Sequence, residues 1–334
     1  MSHSYLKFIV IASAVFQTTA VSAQTNREYQ GLAGGRSATQ ATQSAIGNAV
    51  SSFGSAGMFR IKLGDSGEAD SPTRSALSLT QRGAAASGDS DSPWTLWATP
   101  VFNNISNRIS PITSKGNVNI LLLGVEHNLD DELIRGVIVA FDNADITTPY
   151  NSGIVKGNGY TVSPYLAMPF AESWILDASV GVGRNELKTN VSGTTATPSS
   201  DRSLAAVGLT HNHITKTKWL ISSKLGYSYA KDEIASYSDS SAATTAASSS
   251  TLSQIRVGVN SSYTGSKLKP FIGLYQHFND FSVSGGSSTK PREYSATPQL
   301  QLGLSPSSGP WYASLVGVAE RDRSAIRFYF GYRY

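Results

Sequence analysis

Two stretches of the sequence hold residue types from which catalytic or metal sites are built. LGDSGEAD places Ser66 between an aspartate and a glycine, where a serine can serve as nucleophile. HNH sets His211, Asn212 and His213 in a row. On a strand, alternate side chains share a face, so the two imidazoles point the same way. A serine nucleophile needs a base within hydrogen-bond reach. The histidines His127, His211, His213 and His277 all lie beyond residue 94, far along the chain from Ser66. No α/β core surrounds that serine, and SGDSDS repeats similar letters in a linker-like stretch. Two imidazoles can begin a zinc site, but a closed one takes four ligands, and no others are evident beside HNH. Walker and dinucleotide fingerprints are absent; GVGR (Gly181–Arg184) lacks the glycine spacing. The reading is therefore no enzyme, no cofactor and no metal. The chemistry, if any, is that of a surface or a channel.

The elements that would position such groups fall into three parts. Lys7 precedes the apolar run FIVIASAVF (Phe8–Phe16), and Val21-Ser22-Ala23 is a small-x-small site. This pattern predicts a secretory signal peptide over 1–23, cleaved between Ala23 and Gln24. The run is shorter than the roughly 20 residues a spanning helix needs. No cysteine is present among the 334 residues, so an exported chain must find stability without disulfides. The net charge is +4, with basic residues scattered rather than striped, which argues against a nucleic-acid partner.

Residues 24–93 are rich in Gly, Ala, Ser, Thr and Asp and poor in large apolar side chains, a composition that buries little surface. One helix is expected over residues 37–53 (Ser37–Phe53), with Ala41, Ala45 and Ala49 forming a narrow face of small residues. A weaker helical pattern covers Thr73–Ala86, and Ser87–Pro93 reads as a linker.

From Trp94 the pattern changes to alternating strands. The sequence predicts twelve, near 94–102, 118–128, 132–142, 159–170, 173–185, 203–213, 218–230, 251–263, 267–279, 293–304, 310–320 and 324–334. Their usual length of about 9–13 residues suits a tilted strand crossing a bilayer. The connections alternate in length. Long ones such as NADITTPYNSGIVKGNG and KDEIASYSDSSAATTAASSS are separated by short ones such as NLDDE, AES and TGSK; only ERDRSA breaks the contrast. Up-and-down outer-membrane barrels have short turns at one end, longer loops at the other and an even strand number. The tract from Ser236 to Thr251 is expected to be a flexible external loop.

Each strand carries one apolar and one polar face. Trp174, Leu176, Ala178, Val180 and Val182 oppose Asp177, Ser179, Gly181 and Gly183. Alternation alone does not say which face is inside. Aromatics at strand ends (Trp94, Tyr160, Trp174, Trp219, Tyr229, Tyr263 and Trp311) favour a membrane barrel, because amphipathic rings collect at interfaces. Glu126, Asp177, Lys224, Arg256, Arg327 and Arg333 would then line a wet lumen. The chain ends in SAIRFYFGYRY, where Ile326, Phe328, Phe330, Tyr332 and Tyr334 share one face. A strand so apolar at the last residue must be paired, as in a closed sheet.

With these features the region 94–334 resembles the C-terminal β-domain of bacterial autotransporters. The stretches that carry the resemblance are LGVEHNLDDELIRGVIVAF (Leu123–Phe141), VSPYLAMPFAESWILDASVGVGR (Val162–Arg184), LKPFIGLYQHF (Leu268–Phe278) and the ending. They look like that family's strand–turn–strand pattern. The resemblance implies an all-β, transmembrane, antiparallel up-and-down barrel of about 12 strands in the outer membrane of a Gram-negative bacterium. A helix would thread the pore, for which Ser37–Phe53 is the candidate. It implies that Ile326, Phe328, Phe330, Tyr332 and Tyr334 form the C-terminal signal read by the barrel-assembly machinery, with periplasmic chaperones and outer-membrane lipid as further partners. The departure is the passenger, since about 70 residues precede the barrel where autotransporters usually export hundreds. In the Ser37–Phe53 segment there are no paired asparagines of the self-cleaving kind, and Asn48 stands alone there. The function expected is a barrel that anchors, presents or translocates a short N-terminal segment at the cell surface. The alternatives are a small-solute pore and a surface adhesin that meets a host or environmental ligand through its long loops.

Overall fold

The computed structural model describes residues 29–50, 60–62, 78–80, 94–108, 113–129, 133–171, 173–286, 292–306 and 311–333. Twelve long strands form the wall. In chain order they are β1 (Trp94–Asn107), β2 (Ser114–Leu129), β3 (Leu133–Thr148), β4 (Gly153–Ala171), β5 (Trp174–Val191) and β6 (Ser199–Ile214). Then follow β7 (Trp219–Ile234), β8 (Ser248–Tyr263), β9 (Leu268–Gly285), β10 (Arg292–Pro306), β11 (Trp311–Glu320) and β12 (Arg323–Arg333). Each pairs antiparallel with its neighbours in sequence. The last strand returns to the first, with Arg323 opposite Ile105 and Arg333 opposite Thr95. Closure leaves no unpaired edge, which is how a cysteine-free sheet can hold itself together.

The direction of the alternation is now fixed. In β5 the buried residues include Ile175, Asp177 and Ser179, while Trp174, Val180 and Val182 are exposed, Val182 at 68%. In β12 Ala325, Arg327 and Tyr329 are buried, whereas Ile326 and Phe330 stand half exposed. The apolar side faces out and the charges face in. That inversion suits a hydrocarbon surround. Trp94, Trp174 and Trp219 sit outward at the short-turn end, Trp219 against its cross-strand partner Tyr263 at 5.4 Å. Phe141 and Tyr160, themselves cross-strand partners, form part of a second outward row towards the other end. Within β1 the corresponding pair, Trp94 and Phe102, is separated by about 26 Å along the strand at roughly 3.3 Å per residue. Leu274 stands outward between those rows and is 61% exposed. Leu274→Arg is expected to lower barrel stability by about 2–4 kcal/mol, the cost of a charge near the bilayer centre. Denaturant titration of barrels folded into lipid vesicles would measure it; an unshifted midpoint would place Leu274 off the lipid face.

Several expectations require correction. The strands run further at the long-loop end than the sequence suggested. The stretch from Asn143 to Gly159, read as a loop, contracts to a turn at 149–152, in which Thr148 Oγ1 donates to Asn151 Oδ1 at 2.5 Å. Asn143 bonds Asn158 across β3 and β4 at 2.8 Å, and Asn104 bonds Asn117 across β1 and β2 at 3.1 Å. These amide ladders extend the wall beyond the apolar band, so the length contrast between connections is largely one of polar strand extension. ERDRSA (Glu320–Ala325) broke that contrast because β11 and β12 turn back early, at Arg321–Asp322. The rim is low there.

The tract Ser236–Thr251 is ordered rather than a free spacer. Tyr237–Ser238 pairs with Thr244–Thr245, and Asp239 Oδ1 accepts from the Ser241 and Ala243 amides at 2.8 and 3.1 Å. The Ser240 amide donates to Thr195 O at 2.8 Å, tying this hairpin to the neighbouring one. Within the stretch read as a second helix, Ser78–Thr80 is instead extended and pairs with Arg60–Lys62. Alternating small and polar residues there fit either period, and pairing with a partner strand decided between them.

Candidate functional site: the lumen and its helix

Residues 29–50 are helical and fill the barrel. The sequence reading began the helix at Ser37; the helical stretch before it holds Gly31, Gly34 and Gly35, which are poor helix formers. The barrel explains them. A Cβ on Gly34 would stand 2.5 Å from Val155 Cγ1, one on Gly35 would overlap the Asp232 carboxylate, and one on Gly31 would touch Ile234 at 3.4 Å. Glycine lets the helix backbone approach β4 and β7 where any side chain would push it off. Further along, Ala38, Ala41, Ala45, Ile46, Ala49 and Val50 join the main apolar cluster with wall residues such as Val118, Ile138 and Leu187. Tyr29, Leu32 and Ala33 pack with Leu252, Phe281 and Val283.

Polar contacts fix its height and direction. At the long-loop end Gln30 Nε2 donates to Ile154 O and Asn190 O, both at 3.0 Å. Gln43 Nε2 donates to Ser228 Oγ at 2.9 Å, and Arg256 Nη1 donates to Asn48 Oδ1 at 2.6 Å. The helix therefore enters at the long-loop end and descends towards the short turns. Its strongest tether is at mid-height. Arg202 reaches from β6 to Thr39 Oγ1 (3.0 Å), Thr42 Oγ1 (3.2 Å), Thr161 Oγ1 (3.3 Å) and Asp142 Oδ1 (2.8 Å). Both charged side chains of the Arg202–Asp142 pair are 0% exposed. Away from water the charge-assisted bonds are strong, and each carries geometric information.

The residues singled out from sequence fall in distinct places. Glu126, Asp177, Lys224 and Arg327 are buried on the inward face, and Arg256 is partly so. Asp177, Lys224 and Arg256 form one charged group, with Asn48 of the helix held by its arginine. Glu126 accepts from Tyr165 Oη at 2.7 Å. Arg327 lies on β12 two residues from Tyr329, whose ring stacks on Trp97 at 5.3 Å inside the lumen. Ile326, Phe328, Phe330 and Tyr332 share the outward face, and Arg333 belongs to the last strand. His211 and His213 point outward at the short-turn end, His211 beside Trp174 at 4.7 Å, while His127 meets Trp94 at 4.6 Å. His277 is instead buried in the lumen. Tyr334, Ala23, Gln24, Ser66 and the linker at Ser87–Pro93 lie outside the described residues. The clamp of Arg202, Asp142, Thr39 and Thr42 was missed from sequence. Its only signal was alternation that reaches Asp142 at the end of the third assigned strand and continues to Arg202, one residue outside the sixth.

A twelve-stranded lipid-facing barrel with a helix descending through it narrows the possibilities, and the autotransporter β-domain matches residues 96–316. The chain belongs to that family. Its solved relatives have the same fold. The β-domain of the Bordetella autotransporter BrkA is 17% identical, with 72% of this chain and 100% of that one covered at a TM-score of 0.56. The translocator domain of NalP from Neisseria meningitidis is 11% identical, covering 74% and 90% at 0.59. The transport unit of AIDA-I from Escherichia coli is 10% identical, covering 75% and 93% at 0.57. None of the curated proteins compared with the chain matches it. The barrel is an autotransporter translocator of the Gram-negative outer membrane. The long-loop end is then the outer mouth and the short-turn end the periplasmic one.

Proposed function

We propose that this translocator keeps residues 29–50 in its lumen as a resident plug and presents whatever precedes residue 29 at the outer mouth. The observation that carries the reading is the Arg202 clamp, a fully buried ion pair that also holds two threonines of the helix. A passenger in transit needs a lumen it can slide through. A glycine-fitted helix bolted to the wall is the opposite arrangement.

The chemistry at Asn48 supports retention as well. Chain cleavage after an asparagine requires its amide nitrogen to attack its own carbonyl carbon. Here Nδ2 donates to Ser44 O at 2.6 Å, one turn back along the helix, and Oδ1 accepts from Arg256. The nitrogen is turned away from the carbon it would attack. Export through the signal sequence, with cleavage between Ala23 and Gln24, and recognition of the aromatic last strand by the assembly machinery complete the proposal. No catalytic role is part of it. The species recovered from purified outer membranes is expected to have the intact mass of a chain beginning at Gln24. A chain beginning at Ala49 would overturn the reading and make the protein a self-processing exporter.

A further inference from the structure

Of the helical residues 29–50, all are buried except Arg36, Gln40, Ser44, Gly47 and Asn48. Their spacing of three or four residues puts them on one stripe of the helix. That stripe is the less buried side of the helix; Gly47 and Asn48 face β5–β9, and Arg36, Gln40 and Ser44 face β8–β11, beneath the low rim at Arg321–Asp322. A cavity of about 330 Å³ opens there, bounded by Arg36, Gln40 and Ser44 on the helix and by Gln254, His277 and Thr297 on the wall. A second space of about 40 Å³ continues inward past Gly47, Asn48, Asp177 and Arg256. Ser44, Gln254 and His277 border both, so the two spaces are neighbours along the helix, the deeper one the narrower. At about 10–15 Å³ per water, the narrow part holds about three.

Gly47 sits at the constriction. Unlike Gly34 and Gly35, it has no packing reason to be glycine, since a Cβ there would meet nothing within 4 Å. Glycine is the poorest helix former after proline. Its presence towards the C-terminal end of the plug helix makes sense if the space beside it is kept open. Arg256 and Asp177 line the constriction and Lys224 belongs to the same group, so basic side chains outnumber the acidic one there. Basic side chains at a narrow point favour anions over cations.

We propose that the plugged barrel is a narrow, anion-preferring leak, carrying small anions along the polar stripe of the helix past Gly47. The proposal rests on the reading of the helix as a resident plug. Full-length protein in planar bilayers under a potassium chloride gradient tests both. The expected result is a small steady current with its reversal potential displaced towards that of chloride. Gly47→Trp is expected to reduce this current at least tenfold, and Gly47→Gln, a gentler filling of the same space, to reduce it severalfold. Arg256→Gln is expected to shift the reversal potential towards zero. A silent wild type, a cation preference, or a current unchanged in both Gly47 variants would overturn the leak and leave the plug intact. A wild-type current as large as that of a barrel lacking residues 29–50 would instead sink the plug reading, and the leak with it.

Discussion

Arg202→Met is expected to release the helix from the pore. The substitution removes the cation from a pair whose side chains are both fully buried, and the carboxylate left behind has no water to turn to. Asp232, buried nearby, also draws on the Arg202 charge, so two carboxylates lose their compensation together. Breaking a buried pair from one side costs about 3–5 kcal/mol. At 1.36 kcal/mol per decade this lowers the docked-to-released ratio by about two to more than three orders of magnitude. The barrel itself is a separate matter, because its strands pair with one another around a closed ring. The cheapest response is therefore to expel the helix and let water reach Asp142. Large single-channel openings and protease sensitivity within residues 29–50 should appear, with the barrel still folded on gels. Arg202→Met with Asp142→Leu should recover part of the closure, since an apolar pair of similar size avoids the stranded charge. If the single variant stays as closed as the wild type, the clamp does not hold the plug.

The sequence made the wall legible and the clamp nearly invisible, for a physical reason. Period-two alternation is a strong signal wherever one face meets lipid, because every outward residue must then be apolar. The strand number, the faces of Asp177 and Lys224, and the aromatic rows all follow from it. Beyond the lipid band that demand lapses. Asn143, Asn158 and Asn117 pair across strands as amides, and polar residues on both faces read as loops. Arg202 lay one residue outside the assigned sixth strand and Asp142 was the last residue of the third. Even with both on inward faces, nothing in the sequence says that β3 and β6 come to face the same turn of a helix. That juxtaposition belongs to the closed barrel. The helix failed at its start for a related reason. Propensity treats Gly31, Gly34 and Gly35 as breakers, whereas confinement in a lumen selects them for size.

Gly34→Leu should likewise open the pore, although helix propensity alone argues the reverse. Replacing glycine by a good helix former in an exposed helix gains about 0.8–1.0 kcal/mol. At position 34 the new Cβ would lie 2.5 Å from Val155 Cγ1 and 3.2 Å from Val155 Cβ. Valine is stiff at χ1 and cannot swing clear, and Val155 is itself 0% exposed in a paired stretch of β4. Overpacking of this kind typically costs about 1–3 kcal/mol where the surroundings can yield. Here the wall is a hydrogen-bonded ring and the helix is the part free to leave. The shift is expected at the upper end of that range, with open-channel current rising accordingly and barrel unfolding unchanged. Position 47 supplies the contrasting sign. Gly47→Ala meets no atom within 4 Å, so it should keep the propensity gain and hold the plug more firmly. Gly34→Ala paired with Val155→Ala should fall between, because the second change removes the methyl that the first one strikes. Were Gly34→Leu as tightly closed as the wild type, the helix would not be seated against β4, and the argument from its glycines would fail.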